Sequence, residues 1–316
     1  MSKPYVLSYF QLDPVSEAIL GEVAELYYSG IERLEDILPL VSAVICIDLP
    51  LDHLARMKGL KMIQSLSAGV DTLPWSHIGE DITVCGNMGS NAESVAEHTW
   101  ALILALARRL HHYLPQVKAG DFRRNHENII LSGKTLGVIG LGSIGRRVAD
   151  VGKAFGMRVM GVTRSGRSDY PCDFIGGEKD LEHVLRESDV VVVATPLTKW
   201  TRGMINLERL RMLKPGSILV NVGRAEVIVR EHLMAYLSEK PEANIATDVW
   251  WSMEGGQPSE KELIRFTNFV GTPWVAGAFG SKEVFTRMCR MAAENVARFL
   301  RGEKPHNIIN RSDYIP

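Results

Sequence analysis

Three glycines at fixed spacing form the part of the chain with the clearest chemical meaning. They stand in the segment Gly140-Leu141-Gly142-Ser143-Ile144-Gly145, which reads G-x-G-x-x-G. The segment follows the apolar run Leu136 to Ile139, which is typical of a buried parallel strand, and precedes a helical pattern from Arg146 to Phe155. Strand, glycine turn and helix in this order predict a phosphate-binding turn.

Each glycine has its own physical role in such a turn. Gly140 permits the tight change of direction, Gly142 lets a pyrophosphate approach the backbone, and Gly145 lets the helix pack close to the strand. The helix N-terminus, opened by Ser143 and Ile144, offers free N–H groups and a partial positive charge to the phosphates. A glycine-rich turn without a ligand is the alternative, but the order of elements favours a dinucleotide site.

The end of the next strand predicts which dinucleotide binds. In this type of fold, a carboxylate there hydrogen-bonds the ribose 2′-hydroxyl and selects NAD. The chain instead reads G-V-T-R-S-G-R from Gly161 to Arg167, with no carboxylate. Arg164 and Ser165, next to Thr163, can bind a 2′-phosphate, so NADP(H) is favoured. The alternative is a basic surface loop in a protein that still accepts NAD.

The composition limits the class of protein. A length of 316 residues suggests two domains or one large one, and 46% hydrophobic residues are enough for substantial cores. The formal net charge of −1 and the scattered basic residues indicate neither a nucleic-acid partner nor an acidic membrane. Four separated cysteines without a C-x-x-C pair indicate reduced thiols and a cytoplasmic location.

Strand-like runs alternate with helical patterns along the whole chain, which predicts an α/β fold with parallel sheets. We expect two Rossmann-like or flavodoxin-like domains with doubly wound sheets. Residues 1–98 and 282–316 are predicted to form a discontinuous substrate domain, and residues 99–281 an inserted dinucleotide domain, with the substrate in a cleft between them. The segment from His111 to Ile130 is polar and irregular, and predicts a loop.

Seven motifs in one order resemble the D-isomer-specific 2-hydroxyacid dehydrogenases, including those that reduce glyoxylate or hydroxypyruvate and those that oxidise phosphoglycerate. The motifs are S-A-G-V-D from Ser67, N-A-E-S-V-A-E-H from Asn91, the glycine turn, A-T-P-L-T-K-W-T-R-G-M-I from Ala194, N-V-G-R from Asn221, T-D-V-W from Thr247 and G-T-P-W-V-A-G from Gly271. This resemblance covers nearly the whole chain. It implies hydride transfer between a nicotinamide and a small 2-oxoacid or 2-hydroxyacid.

In the family, an arginine binds the substrate carboxylate, a histidine gives a proton to the carbonyl oxygen, and a glutamate orients the histidine. Arg224 matches the arginine, although a surface arginine at a strand end is the alternative. Trp274 stands where the family has the histidine, and an indole N–H cannot release a proton near neutral pH. The resemblance therefore implies an atypical proton donor. Trp274 then closes the pocket or selects a bulkier substrate, or is simply a core tryptophan. His98 and an ordered water are the candidate donors, with a packing or hydrogen-bonding role as the alternative for His98.

The glutamate is displaced by one residue. The family spacing from Asp248 reaches Met253, and Glu254 follows. A one-residue insertion would make Glu254 the equivalent, and otherwise its carboxylate is solvated.

The resemblance also implies a set of binding contacts. The loop formed by Ala68, Gly69 and Val70 presents N–H groups to the substrate carboxylate, or else is a plain tight turn. The nicotinamide is expected to contact a set of residues that follow three successive strands: Thr195, Pro196, Val222, Gly223 and Asp248. Asp248 binds the carboxamide, or else caps a strand end.

Two functions remain open at this point. The first is an enzyme that reduces a small 2-oxoacid with NADPH. The second is a dinucleotide-binding sensor or scaffold without chemistry, since the usual proton donor is missing. The apolar helix from Ser90 and the segment His111 to Ile130 resemble the family's dimer contact, so a homodimer is expected.

Overall fold

The computed structural model describes residues 3–254, 257–258 and 261–315, with the side chains of 253, 254, 257 and 258 excepted. The chain divides into two compact units. The first comprises Met1–Asn91 and Ser281–Pro316, and the second comprises Ala92–Gly280. Each unit is built on its own parallel sheet, of five and seven strands, so the predicted α/β class is confirmed.

The first unit holds a five-stranded sheet with the order β2-β1-β3-β4-β5, in which every pair is parallel. Its elements before the second unit are β1 (Tyr5–Ser8), α1 (Pro14–Val23), β2 (Glu25–Tyr28), α2 (Leu34–Ile37), β3 (Val41–Cys46), α3 (Leu51–Arg56), β4 (Met62–Ser65) and β5 (Thr83–Cys85). Asp13 caps α1 by accepting a hydrogen bond from the N–H of Val15, and Pro14 fits the first helical position. The helical spacing from Pro14 to Leu26 predicts a helix there; α1 begins at Pro14 but ends at Val23, because Glu25–Tyr28 pair with β1 as a strand.

The second unit holds a seven-stranded parallel sheet with the order β14-β11-β10-β9-β6-β7-β8. Its elements are α4 (Ala92–Ala107), α5 (Leu110–Lys118), β6 (Thr135–Ile139), α6 (Ser143–Ala154), β7 (Arg158–Val162), β8 (Phe174–Gly176), α7 (Leu181–Glu187), β9 (Val190–Val193), α8 (Leu207–Leu210), β10 (Ile218–Asn221), α9 (Arg230–Glu239), β11 (Asn244–Thr247), the hairpin β12 (Met253–Glu254) and β13 (Gln257–Pro258), and β14 (Phe269–Gly271). The chain returns to the first unit as α10 (Lys282–Leu300), which packs against α1 and β4.

The central strands explain why the apolar runs predict strands well. All four valines of β9 are fully buried, as expected for a strand covered by helices on both faces. The strand β6 has β7 on one side and β9 on the other, so the winding direction of the sheet reverses at β6. Ligands of such sheets bind at the carboxyl ends of the strands at this point of reversal.

The prediction of a loop from His111 to Ile130 is wrong for its first part, because α5 occupies Leu110–Lys118. None of the residues of this helix is buried. Leu110, Leu114 and Val117 nevertheless recur at helical spacing, so the sequence carried a helical period that the polar residues around it obscured. Among the described residues, no helix has the length and apolarity needed to cross a membrane. The four cysteines are unpaired.

Three histidines form a stacked cluster around the start of α5. The ring centroids of His111 and His112 are 4.0 Å apart with tilted planes, and those of His112 and His126 are 4.4 Å apart with nearly parallel planes. The Tyr113 hydroxyl donates a hydrogen bond to the carbonyl of His126, which closes the turn. Burial, and then the charges of His111, His126 and Arg109, lower the pKa of His112 to about 4.

We expect the stability of the protein to fall more steeply between pH 7.5 and pH 5 in the wild type than in His112→Gln. In the unfolded chain this histidine takes up a proton near its ordinary pKa of about 6.5. The folded state resists protonation of His112. The contribution of this residue to the free energy of unfolding is therefore complete above its ordinary pKa and is lost progressively as the pH falls toward 4. Thermal unfolding midpoints at the two pH values measure this, with the exposed His77→Gln as the matched control. An equal loss in the wild type and His112→Gln would contradict it.

Candidate functional site

The glycine turn between β6 and α6 has the geometry of a phosphate cradle. Gly140 has a φ of 101°, and a Cβ there would lie 2.9 Å from the carbonyl oxygen of Ala194. A Cβ on Gly145 would overlap the carbonyl oxygen of Gly140. The packing of the protein itself therefore demands glycine at these two positions.

The space beside Gly142 is open, in contrast to the other two glycines. A Cβ there would meet no atom within 4 Å. Gly142 is the N-cap of α6, and no side chain caps this helix within the described part of the chain. The first N–H groups of the helix, which begins with Ser143 and Ile144, are then available to an anion. Open space and uncapped N–H groups fit a pyrophosphate.

The loop after β7 is a compact turn. The N–H of Thr163 donates to the carbonyl of Gly176 over 3.0 Å, and the hydroxyls of Thr163 and Ser165 both donate to the carbonyl of Arg167. Arg164 extends from this turn toward Trp200, and its guanidinium carbon lies 5.7 Å from the centroid of the indole. The loop therefore holds an arginine at the strand end where an NAD-selecting carboxylate is usual.

The strands β9 and β10 approach each other closely where they end. A Cβ on Gly223 would lie 2.5 Å from the carbonyl oxygen of Thr195, so this position also needs glycine. The hydroxyl oxygen of Thr195 is buried and has no hydrogen-bond partner among the described residues. Pro196 is exposed and Val222 is buried. Buried hydroxyl groups normally have a hydrogen-bond partner, and a polar group of a bound ligand can be the missing partner here.

Arg224 is held by a neighbour that the sequence analysis overlooked. The side-chain oxygen of Asn221 accepts a hydrogen bond from the N–H of Gly223 over 3.1 Å, and its amide nitrogen donates to the carbonyl of Arg224 over 2.9 Å. These two bonds lock the turn after β10. Arg224 is half-buried, and its Nη1 donates to the carbonyl of Gly223. The asparagine of the N-V-G-R motif was the sequence signal for this contact, because an asparagine side chain readily hydrogen-bonds the nearby backbone.

Asp248, at the end of β11, organises the segment that carries Trp274. Its buried carboxylate accepts hydrogen bonds from the Thr272 hydroxyl at 2.7 Å, the Val275 N–H at 3.0 Å and the Ala276 N–H at 2.9 Å. The residue thus joins β11 to the chain that follows β14. Its predicted contact with a carboxamide remains a prediction.

Trp274 has an unusual backbone conformation. Its φ is 58°, which is uncommon for a bulky residue, and its N–H donates to the carbonyl of Thr272 over 3.0 Å. The residue is 37% exposed, so it is not a core tryptophan. The side chains of Asp248 and Thr272 hold the strained turn in place.

His98, on α4, belongs to the same network. Its Nε2 lies 2.8 Å from the Thr272 hydroxyl oxygen and 3.6 Å from an oxygen of Asp248. Because the Thr272 hydroxyl donates to Asp248, the hydrogen-bond pattern assigns the proton on Nε2 of His98. The sequence pointed to His98 alone. The role of Thr272 as the link between His98 and Asp248 is visible only in the folded structure.

Glu254 and the loop Ala68 to Val70 complete the set of predicted site residues. The side chain of Glu254 lies outside the described residues, although its backbone forms β12. The loop Ala68 to Val70 follows β4 in the first unit. Its carbonyls accept internal hydrogen bonds, such as that from Trp75 to Val70, whereas its three N–H groups donate to none of the described residues. The loop therefore retains donors for a ligand.

The second unit brings most predicted site residues together. The glycine turn, the basic loop, Thr195, Arg224 and Asp248 follow β6, β7, β9, β10 and β11, which are neighbours in one parallel sheet. Among the described residues, no three histidine, cysteine or carboxylate groups converge as a metal site would require. A phosphate-binding turn with an arginine at the same sheet edge defines a dinucleotide-binding protein of the Rossmann class.

Comparison with known proteins identifies the family. The sequence model described as "D-isomer specific 2-hydroxyacid dehydrogenase, NAD binding domain" matches residues 100–276. The chain is 36% identical to a glyoxylate reductase of Aeropyrum pernix over 271 residues, which cover 82% of this chain and 79% of the relative. It is 34% identical to a glyoxylate reductase of Pyrococcus furiosus over 266 residues, covering 80% and 76%.

Solved structures agree with this. A D-isomer specific 2-hydroxyacid dehydrogenase family protein from Aeromonas salmonicida has a TM-score of 0.82 at 26% identity, over 98% of this chain and 100% of the other. A D-lactate dehydrogenase from Aquifex aeolicus, complexed with NAD and lactic acid, has a TM-score of 0.78 at 27% identity, over 95% and 96%. The chain belongs to the D-isomer specific 2-hydroxyacid dehydrogenase family and is an NAD(P)-binding oxidoreductase.

We expect Asp248→Ala to lower the free energy of unfolding by about 3 kcal/mol, because it leaves two backbone N–H groups and one hydroxyl without their charged acceptor. Denaturant unfolding measures this. Asp169→Ala is the matched control, since that carboxylate is exposed and pairs only with Arg146 in the contacts described. Equal stability of the two variants would show that Asp248 does not organise the segment.

Proposed function

We propose that the protein reduces a small 2-oxoacid, of the size of glyoxylate or hydroxypyruvate, to its 2-hydroxyacid with NADPH, and catalyses the reverse oxidation. The observation that carries this proposal is the position of Arg224. It follows β10, and only β9 separates that strand from β6 and the phosphate-binding turn. Asn221 holds the backbone of this arginine in place without any ligand.

The arginine acts on the substrate in two ways. Its guanidinium binds the carboxylate with two N–H groups, and its permanent charge polarises the adjacent carbonyl. The N–H groups of Ala68, Gly69 and Val70 bind the same carboxylate, so we assign the substrate role to residues 1–98 and 282–316. Residues 99–281 form the dinucleotide domain in this proposal. The bound nicotinamide supplies or accepts the hydride.

The residues near the ring are assigned by the resemblance to the family. Thr195 and Pro196 line the nicotinamide, and the orphaned hydroxyl of Thr195 supports a polar contact there. Val222 and Gly223 lie beneath the ring, and Asp248 contacts the carboxamide. The small size of Gly223 supports a close approach at this point.

The proton donor is atypical in this proposal. Trp274 replaces the usual histidine and forms a wall of the pocket, and its partial exposure supports that role. His98 and an ordered water are the candidate donors, and the support for His98 is its place beside Thr272, two residues before Trp274. Glu254 is retained as the third catalytic group from the resemblance alone.

NADP(H) is the proposed cofactor, with NAD(H) as the alternative. The support is the loop of Thr163, Arg164 and Ser165, which has an arginine and two hydroxyls and no carboxylate where the ribose 2′ group is expected. A guanidinium and a hydroxyl bind a phosphate well.

A homodimer is also proposed. Five large apolar side chains are exposed in and after α5: Leu110, Leu114, Val117, Phe122 and Ile130. A patch of this kind is typical of an interface. We further propose a cytoplasmic location, which the reduced state of the four cysteines supports.

We expect NADPH oxidation with glyoxylate or hydroxypyruvate, and a loss of about 10²-fold or more in kcat/KM in Arg224→Gln. Steady-state absorbance measures the rate of cofactor oxidation with each of several 2-oxoacids, using NADPH and NADH in separate assays. Arg211→Gln is the control, because Arg211 forms an exposed ion pair with Glu239. If folded, dinucleotide-bound protein turns over none of the acids, the proposal fails and a binding function takes its place.

We expect Trp274→His to raise turnover by about tenfold or more, because a general acid typically contributes about 10²–10⁴-fold. Histidine also tolerates the left-handed backbone of this position better than tryptophan does. Trp274→Phe controls for the loss of the indole alone. A fall in turnover, or no change, would show that the indole has a role of its own rather than replacing a lost acid.

A further inference from the structure

The turn that carries Trp274 is bound to helix α4 at both of its ends. The Ser94 hydroxyl donates a hydrogen bond to the carbonyl oxygen of Ala276 over 2.7 Å. Nε2 of His98 lies 2.8 Å from the hydroxyl oxygen of Thr272. Ser94 and His98 are four residues apart in α4, and side chains at this spacing lie on the same face of a helix. One face of α4 therefore holds the turn on either side of Trp274.

Asp248 and Trp250 hold the same turn from the end of β11. The Asp248 carboxylate accepts hydrogen bonds from the Thr272 hydroxyl and from the two N–H groups that follow Trp274. The indole N–H of Trp250 donates to the carbonyl of Thr272 over 2.9 Å. The side chain of Trp274 itself stays partly exposed. The backbone of the turn is therefore fixed from two elements, while the indole of Trp274 is left accessible to a ligand.

The hydrogen bond from Ser94 differs from those of other hydroxyls in the helices of this protein. Thr99 in α4 and Ser238 in α9 each donate to the carbonyl four residues earlier in their own helix, a common local arrangement. Ser94 instead donates to a segment 182 positions away. Ala276 is buried, so its carbonyl oxygen needs a donor from the protein itself. Ser94 supplies that donor.

Apolar packing accompanies this hydrogen bond. Val95 and Ala96, which follow Ser94 in α4, belong to the same buried cluster as Ala276. The helix and the turn are therefore in contact beside the hydrogen bond, and the bond fixes how one lies against the other. Because Ala276 is two residues from Trp274, a shift at this end of the turn also moves the indole.

We propose that Ser94 is a positioning residue for Trp274. Its bond to Ala276 fixes one end of the turn, as the contact of His98 with Thr272 fixes the other, so the indole keeps one orientation at the edge of the sheet. The consequence for catalysis rests on the proposed function, in which Trp274 forms a wall of the substrate pocket. A misplacement of about 1 Å in such a site can cost about 10²-fold in rate.

The first test follows the turn itself and needs no substrate. The chain has six tryptophans, so the emission of Trp274 is obtained as the difference between the wild type and Trp274→Phe. The same difference is measured in the Ser94→Ala background, together with quenching by acrylamide. We expect Ser94→Ala to shift the Trp274 emission to longer wavelength and to increase its quenching, because a released turn exposes the indole further.

The second test measures kcat and KM with NADPH and glyoxylate or hydroxypyruvate. We expect Ser94→Ala to lower kcat by about tenfold to 10²-fold. The KM for NADPH is expected to stay unchanged, because Ser94 lies outside the proposed dinucleotide contacts. Ser94→Thr keeps a hydroxyl and is expected to retain most of the wild-type kcat. Ser94→Cys has a weaker donor, is expected to give an intermediate kcat, and replaces Ser94→Ala if that variant does not fold.

Two hydroxyls that bond within their own helices provide matched controls. Ser238→Ala removes the same group from α9, and Thr99→Val removes a hydroxyl from α4 itself. In the hydrogen bonds described for these residues, both hydroxyls donate to their own helix and not to the turn. Both variants are expected to keep the wild-type emission, kcat and KM.

Two results in Ser94→Ala would overturn the proposal: wild-type emission, or a shifted emission with wild-type kcat. In the second case the bond would hold the turn without positioning Trp274 for the reaction. Equal losses of kcat in Ser94→Ala and the two controls would also contradict it, since they would indicate a general loss of stability. If the wild type reduces no 2-oxoacid, the proposed function fails, and the emission alone decides whether Ser94 holds the turn.

Discussion

The site depends on one constraint, which is that all seven strands of the larger sheet run in the same direction. Their carboxyl ends therefore meet at one edge, and the loops that follow them come together although they are far apart in the chain. The glycine turn after β6 lies where the winding reverses, so helices leave this edge on both faces and a crevice opens between them. Apart from His98 on α4, the groups assigned in the second unit follow strands that end at this edge.

Close backbone packing sets the shape of that edge. Gly140, Gly145 and Gly223 each occupy a position where a side chain would collide with a neighbouring carbonyl oxygen. These contacts bring the ends of β6, β9 and β10 together and leave the space beside Gly142 open. The same architecture thus explains both the stability of the strand ends and the room for a pyrophosphate.

Buried polar groups then fix what the loops present. Asn221 holds the turn that carries Arg224, and Asp248 holds the turn that carries Trp274. The left-handed backbone of Trp274 is kept by these bonds, since a strained conformation persists only where its surroundings determine it. Such pre-organisation lets an enzyme stabilise a charged substrate without reordering at the moment of reaction. In the proposed function the arginine retains the family's chemistry and the proton donor differs.

The amino-acid sequence by itself determined the parallel α/β class and the glycine turn, and it put Arg224 just after a strand, because strand periodicity and turn chemistry are local properties. It also indicated the basic loop after β7. The edge strands β2 and β8 and the exposed helix α5 escaped it. The two strands lack the fully buried apolar run of the central strands, and the apolar residues of α5 stand among polar residues and an internal proline. Only the tertiary structure decided that His98 reaches Thr272 across 174 positions, and that Arg164 meets Trp200 over the end of β6. Those contacts depend on which strands become neighbours, and strand order is a property of the folded sheet rather than of any segment.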